Sequence, residues 1–448
     1  MAKNYRIDMT NGSLLPKLLK FSFPLMLSSL LQLLFNAADI IVVGKFAGHQ
    51  ALAAVSSTGA LVNLIVNLFI GLSVGTNVLV ARQIGAREND KIYKTVHTAM
   101  ALSFIGGVIL TVFGVVMAHP LLELMNVPSD VIDLSTLYLQ IYFCGITAML
   151  VYNYGAAILR AKGDTKRPLY FLTIAGVINV GLNLILVIFF HMGVAGVGIA
   201  TTISQVVSAG LVFYCLMNEQ ENMRLRPKEM KVDIPTLVEI MKIGLPAGIQ
   251  GSVFSLSNVV IQSTINSFGS AVMAGNTAAQ NADAFIYTCT NAVAQTSMTF
   301  TSQNMGAKKY KNLNKVYFIC LGLAFGISVA MGALGLLFPE QIIGIFSTDQ
   351  EVITWGVQRL YILMSTYFLC SLMDVSGCQI RGMGRSLEPM IITLIGACGI
   401  RIMWLYTGFK FNPQLWNLYL SYPISWALTF ISLFVCYLVF MKRLKKSQ

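Results

Sequence analysis

The chain is 448 residues long, 56% hydrophobic and only 11% charged, with a net charge of +12. A soluble enzyme carries about 25% charged residues, so a water-soluble fold is excluded and a polytopic membrane protein is indicated. The excess positive charge does not imply nucleic acid, because its distribution follows membrane topology instead.

Met1 to Ser13 is polar, and the first apolar stretch, interrupted by Lys17, Lys20 and Pro24, runs too long for a cleavable signal. It is expected to remain as the first membrane helix. Apolar windows of about 20 residues predict twelve spans, near 15–43, 52–81, 95–118, 134–159, 169–190, 194–217, 243–266, 271–301, 316–338, 355–379, 389–409 and 418–441. With the N-terminus inside, all but four of the 31 basic residues fall in inner segments. Lys45, Arg359 and Lys410 fall in outer loops and edges, and Arg401 within a span. Basic loops stay cytoplasmic, so both termini are expected inside.

The first span carries Asp39 within Leu33 to Gly44. A carboxylate inside a bilayer is costly unless it faces protein, water or a cation, which makes Asp39 the leading functional candidate. At 1.5 Å per residue it lies about 9 Å below Lys45 at the outer edge. Counting inward from Pro168 puts Asn179 and Asn183 on one face of span five, at heights of about 16 and 22 Å. Thr201 descends about 12 Å from Gly193 into the same layer. These four residues are expected to form one polar cluster in the outer half of the N-terminal bundle, holding a proton or a sodium ion. The alternative for the asparagines and threonine is helix–helix hydrogen bonding.

The halves resemble each other. Lys20, Pro24, Asn36 and Phe46 recur as Lys242, Pro246, Asn258 and Phe268, and Arg160-Ala161-Lys162-Gly163 recurs as Arg381-Gly382-Met383-Gly384. The offset is 222 residues for the first set and 221, after one gap, for the second, and this agreement indicates duplication. The expectation is an all-α integral membrane protein of twelve helices in two pseudo-symmetric six-helix bundles, 1–217 and 243–448, with a cytoplasmic linker at 218–242 and a central cleft between the bundles. Pro24 and Pro246 fall in the first span of each half, as hinges or as static kinks. The linker is either a solvated connector or carries a short amphipathic helix.

In the second half, Asp283 and Asp374 lie inside spans, and Arg401 is an intramembrane cation whose natural partner is one of them, unless it serves substrate or coupling. With Asn36 and Asn258 these complete the candidates for the substrate cavity or for coupling in the C-terminal bundle. Aromatic residues and 22 methionines offer a greasy lining suited to flat cations. Trp404 and Trp426 read as packing. The eight cysteines have no ligand-like spacing and read as small buried apolar residues, with no disulfide framework and no metal site. His49, His97, His119 and His191 lie near span ends or loops, and no Ser-His, His-Glu-x-x-His or nucleotide-binding motif is present, which argues against an intramembrane enzyme and against an ATP-driven pump.

Pro24, Gln32, Asn36-x-x-Asp39 and Gly44, the loop Ala81-Arg82-Gln83-Ile84-Gly85-Ala86 with its echo Ser302-Gln303-Asn304-Met305-Gly306-Ala307, and Leu159-Arg160-Ala161-Lys162-Gly163-Asp164-Thr165-x-x-Pro168 with its echo Ile380-Arg381-Gly382-x-Gly384 resemble the multidrug and toxic compound extrusion (MATE) transporters of the flippase superfamily. The resemblance spans essentially the whole chain. It implies two six-helix lobes and export of small organic cations in exchange for protons or sodium, in a bacterial inner (plasma) membrane. The coupling ion is then the only cofactor, and a monomer in the bilayer is expected. Asp39 matches the acid of the family's first helix, and Asn179 and Thr201 match polar partners of its N-lobe ion site. Asn183 departs from the aspartate found there in many members, so the site has one negative charge fewer and a sodium ion would be held more weakly. The mid-helix glutamate that another branch carries on its seventh helix is missing. The alternative reading is a lipid-linked precursor flippase, or an exporter of a specialised metabolite, from the same superfamily. A flippase for anionic sugars would want several cavity cations, and only Arg401 is available.

Overall fold

The computed structural model describes residues 7–125, 127–219 and 222–446. The described part is 87% helical. Twelve long helices account for it: α1 (Leu14–Phe46), α2 (His49–Ala86), α3 (Asn89–Leu124), α4 (Ile132–Lys162), α5 (Lys166–Asn183, continued by a π-helical turn at Leu184–Phe189) and α6 (Gly193–Met217) in the first half. The second half has α7 (Ile234–Asn266), α8 (Ser270–Gly306), α9 (Tyr310–Leu337), α10 (Gln350–Gly382), α11 (Leu387–Thr393, a π turn at Leu394–Gly399, then Ile400–Tyr406) and α12 (Leu415–Lys446). Short helices at Pro339–Gly344 and Gly408–Phe411 precede α10 and α12.

All twelve expected spans are helices. Eleven are long and apolar enough to cross a membrane by length and composition. The exception, α8, is 37 residues long but rich in Asn, Gln, Ser and Thr. Its polarity is answered by neighbouring helices: Ser297 and Thr301 both donate to Gln379 Oε1 on α10 at 2.6 Å. Such bonds tie helices together where no water competes. α7 begins at Ile234, so only residues 218–233 separate it from α6, with one 3-10 turn at Pro227–Glu229. Gln220 and Glu221 of that linker lie outside the described residues, as do residues 1–6 and the last two at the C-terminus.

The chain forms two compact units. One comprises Leu27–Gly248 with Met1–Asp8, and the other Met9–Met26 with Ile249–Gln448. Each dividing point inside a helix falls two residues after a proline, Pro24 in α1 and Pro246 in α7. Both helices run on through their prolines. In the first unit α4 packs against α2, α3 and α6, around a core that includes Phe143, Ile146, Leu150, Tyr154 and Ile158. In the second unit α10 holds the equivalent place, against α8, α9 and α12.

Close helix approach depends on glycine. A Cβ at Gly75 would lie 2.4 Å from the Ile240 carbonyl oxygen, and one at Gly71 2.2 Å from the Gly248 nitrogen. Only a residue without a side chain lets α2 and α7 meet backbone to backbone. Of the cysteines, all free, Cys289, Cys320, Cys370 and Cys398 are buried, but Cys144 is exposed on α4, contrary to a uniform buried reading.

The α4–α5 connection is fixed by charge. Asp164 is buried and accepts the backbone N–H groups of Lys166 and Arg167 at 3.1 Å each. Its carboxylate also pairs with Arg167. Glu219, just beyond α6, pairs with Lys162, and Arg167 Nη2 stands 2.5 Å from its Oε1. Burial pushes the Glu219 carboxyl up, but the Lys162 and Arg167 charges and hydrogen bonds outweigh it and hold the group below the usual 4.5.

Candidate functional site: the Asp39 cluster and the C-terminal charges

The register of α1 on α5 follows from one contact. Gly176 on α5 leaves room for the Phe35 ring, since a Cβ there would stand 1.8 Å from Phe35 Cε2. Asp39 is one turn beyond Phe35, and Asn179 and Asn183 are one and two turns beyond Gly176, on the same faces. The nesting of Phe35 on Gly176 therefore presents the Asp39 carboxylate to the two asparagines.

The side chains meet as the sequence leads one to expect. Asn183 Nδ2 donates to Asp39 Oδ1. The same nitrogen lies 3.3 Å from Asn179 Oδ1, and Asn179 Nδ2 lies 3.5 Å from Thr201 Oγ1. Thr201 is also a polar neighbour of Asp39. Asn179 and Asn183 are buried, whereas Asp39 and Thr201 are half-buried, so the acid has a route to the outside of the cluster. Asn183 Oδ1 is buried with no hydrogen-bond partner. Tyr138 of α4 lies within electrostatic range of Asp39 and was not anticipated from the sequence. Carboxylate, amide and hydroxyl oxygens converge here without any basic side chain in the bonded set. Such a group can take up a proton at the carboxylate or offer its oxygens to a small hard cation. Asn36, one turn before Asp39, is exposed.

The C-terminal candidates do not form a second such cluster. Asp283 on α8 is paired with Arg359 on α10, Nη2 to Oδ2 at 2.9 Å, and both side chains are buried. Arg359 Nη1 also lies 3.3 Å from the Asn276 carbonyl oxygen. Two expectations are corrected by this pair. Arg359, counted with the outer loops and edges, is buried nine residues into α10, and Asp283 is not the partner of Arg401. Matched depth explains it: thirteen residues into α8 and nine into α10 correspond to heights of about 20 and 14 Å, roughly one helical turn apart. Asp374 is not its partner either. Its Oδ2 is buried with no hydrogen-bond partner, and it has no ion-pair partner among the described residues.

Arg401 instead donates from Nε to Ser425 Oγ at 3.0 Å and from Nη1 to Asn258 Oδ1 at 3.2 Å. Its guanidinium lies over the rings of Tyr422, Phe254 and Trp426. The π turn at Leu394–Gly399, where Gly396 passes so close to Thr429 that a Cβ would be 2.2 Å from its Oγ1, ends one residue before Ile400 and sets the face on which Arg401 emerges. Periodicity along span eleven does not reveal that turn.

A helical, multi-pass chain with two repeated units and a half-buried acid among polar side chains is the architecture of a membrane transporter. The MatE family profile matches it twice, over residues 24–185 and 246–407, which is the same displacement that relates Pro24 to Pro246, and the chain belongs to the MatE family. Its relatives include the "Probable multidrug resistance protein YoeA" of Bacillus subtilis, 26% identical over 93% of this chain and 92% of that protein. The "Probable multidrug resistance protein NorM" of Thermotoga maritima is 26% identical over 91% and 89%. Among solved structures, "Crystal structure of MATE in complex with MaL6" superposes with a TM-score of 0.92 at 23% identity, covering 100% of both chains, which establishes the shared fold.

Proposed function

We propose that the protein is a secondary antiporter of the bacterial inner membrane, with both termini cytoplasmic, that exports small organic cations in exchange for protons or sodium. The observation that carries this reading is the Asp39 carboxylate, hydrogen-bonded to Asn183 and neighboured by Thr201 in a half-buried cluster free of basic partners. Family membership and the multidrug-resistance relatives support efflux as the process.

In the scheme, the coupling ion reaches Asp39 from outside. Neutralising the carboxylate changes what Asn183 and Thr201 bond, which lets α1 repack near Pro24 and weakens contacts to the bound substrate. The ion acts only through its different affinity for the two conformations. A single carboxylate with amide neighbours favours the proton over sodium, because the position of a second charge is taken by Asn183. The chain acts as a monomer and needs no cofactor besides the coupling ion.

The experiment is ethidium efflux from energised cells expressing wild type or Asp39→Asn at matched membrane levels. Efflux by the wild type and none by the variant is expected. Equal efflux from both contradicts the scheme.

A further inference from the structure

Among the described residues Arg401 is the largest fully buried side chain, with no exposed surface. A buried guanidinium ordinarily sits against a carboxylate. Among the described residues no carboxylate oxygen lies within 4.0 Å of it, since the ion pairs of the second unit are Arg359–Asp283 and Arg385–Glu388. Its bonds go to two neutral oxygens, Ser425 Oγ and Asn258 Oδ1. Nη2 is buried and has no hydrogen-bond partner at all. The remaining neighbours are the rings of Tyr422 at 4.4 Å, Phe254 at 5.2 Å and Trp426 at 5.7 Å. Rings of this kind offset part of the cost of burying a cation, yet they leave its charge uncompensated and the Nη2 donors unmet.

We propose that the cluster of Arg401, Ser425, Asn258, Phe254, Tyr422 and Trp426 is a binding site for the carboxylate of an aromatic organic molecule, reached when Asn258 swings away from the guanidinium. The planar fork of Nη1 and Nη2 fits a carboxylate through two parallel bonds, and Nη2 already has donors to spare. A monoanion leaves the cluster neutral, whereas a phosphate dianion would leave one buried negative charge with nothing to meet it. The three rings supply an edge and face surface for an aromatic body attached to that carboxylate. Asn258 is the exposed member of the set, and its amide oxygen is the one held to Nη1. A ligand enters by displacing the Asn258 carbonyl oxygen from Nη1 and replacing it with a charged one. The site sits on α7, α11 and α12, involves none of the Asp39 cluster, and extends the range of the protein beyond organic cations to molecules bearing an acidic group.

The test is equilibrium binding to the full chain in lipid nanodiscs, using 1-naphthoate, its neutral isostere 1-naphthylmethanol and the cation 1-naphthylmethylammonium. Saturable binding of naphthoate, tighter than that of the other two, is expected for the wild type. Arg401→Gln is expected to weaken naphthoate about tenfold or more, the loss of a charge-assisted pair, with naphthylmethanol unaffected. Should Arg401→Gln fail to fold, Asn258→Asp serves in its place. That substitution is at an exposed position, supplies the guanidinium with an internal carboxylate, and is expected to produce the same loss. Absence of naphthoate binding to the wild type, equal affinity for the neutral isostere, or unchanged affinity in the substituted proteins would overturn the proposal. Binding is read without any ion gradient, so failure of the antiport reading would not register in it.

Discussion

Asp39 stands among neutral donors only, and that is why single substitutions around it should separate so cleanly. Asp39→Asn replaces one oxygen by an amide of nearly the same shape in a half-buried position. The folded protein is expected to be recovered at wild-type yield by size-exclusion chromatography while ion-driven efflux is abolished. Asn183→Asp adds a second carboxylate beside the first. Two anions together bind a sodium ion better than one, so this variant is expected to gain sodium-stimulated efflux, read as faster ethidium extrusion when sodium replaces choline outside. The Asp283–Arg359 pair behaves differently, because it is buried and each charge is met by the other, although Asp283 Oδ1 and Arg359 Nε have no hydrogen-bond partner. Arg359→Ala is expected to destabilise by about 3–5 kcal/mol through the orphaned carboxylate. The Asp283→Leu/Arg359→Leu combination is expected to recover much of that loss, read by thermal unfolding in detergent.

Helices meet at positions where the sequence has no side chain to spare. Leucine at Gly75 would have to enter the 2.4 Å gap to the Ile240 carbonyl, so α2 and α7 must part. A loss of at least about 1–3 kcal/mol is expected, the range for overpacking, measured as earlier thermal unfolding. Gly176→Ala is milder in size but aimed at function. It pushes Phe35 off α5 and shifts the Asp39 register, so efflux is expected to fall further than stability does. The α4–α5 loop responds to acid. Glu219 is held below its usual 4.5 in the folded chain, so its contribution to stability is present above that value and is lost as pH falls through the depressed one. Glu219→Gln is expected to flatten the acid side of the stability profile.

At the scale of the whole molecule, the fold was legible because two signals are long-range and redundant. Apolar windows repeat twelve times, the displacement of 222 that carries Pro24 onto Pro246 also carries one copy of the family profile onto the other, and Arg160 recurs as Arg381 at 221, one gap later. The Asp39 cluster was legible for a similar reason, since heights along straight helices are additive and Asn179, Asn183 and Thr201 arrive in one layer. The C-terminal charges were not. Arg359 reads as a surface residue when only its distance from a loop is counted, and its burial depends on α10 starting at Gln350, before the apolar window at 355. The facing of Arg401 depends on a π turn that shifts the register of α11, and no local pattern of side chains announces that turn.

The central claim is that Asp39 couples an ion gradient to export. It is tested most directly by uptake of ethidium into inverted membrane vesicles, driven separately by an inward-acid proton gradient and by an inward-directed sodium gradient, for wild type and Asp39→Asn. Uptake driven by the proton gradient in wild type and lost in the variant is the predicted result. Uptake that persists undiminished in Asp39→Asn, or that responds to neither gradient, would contradict the account.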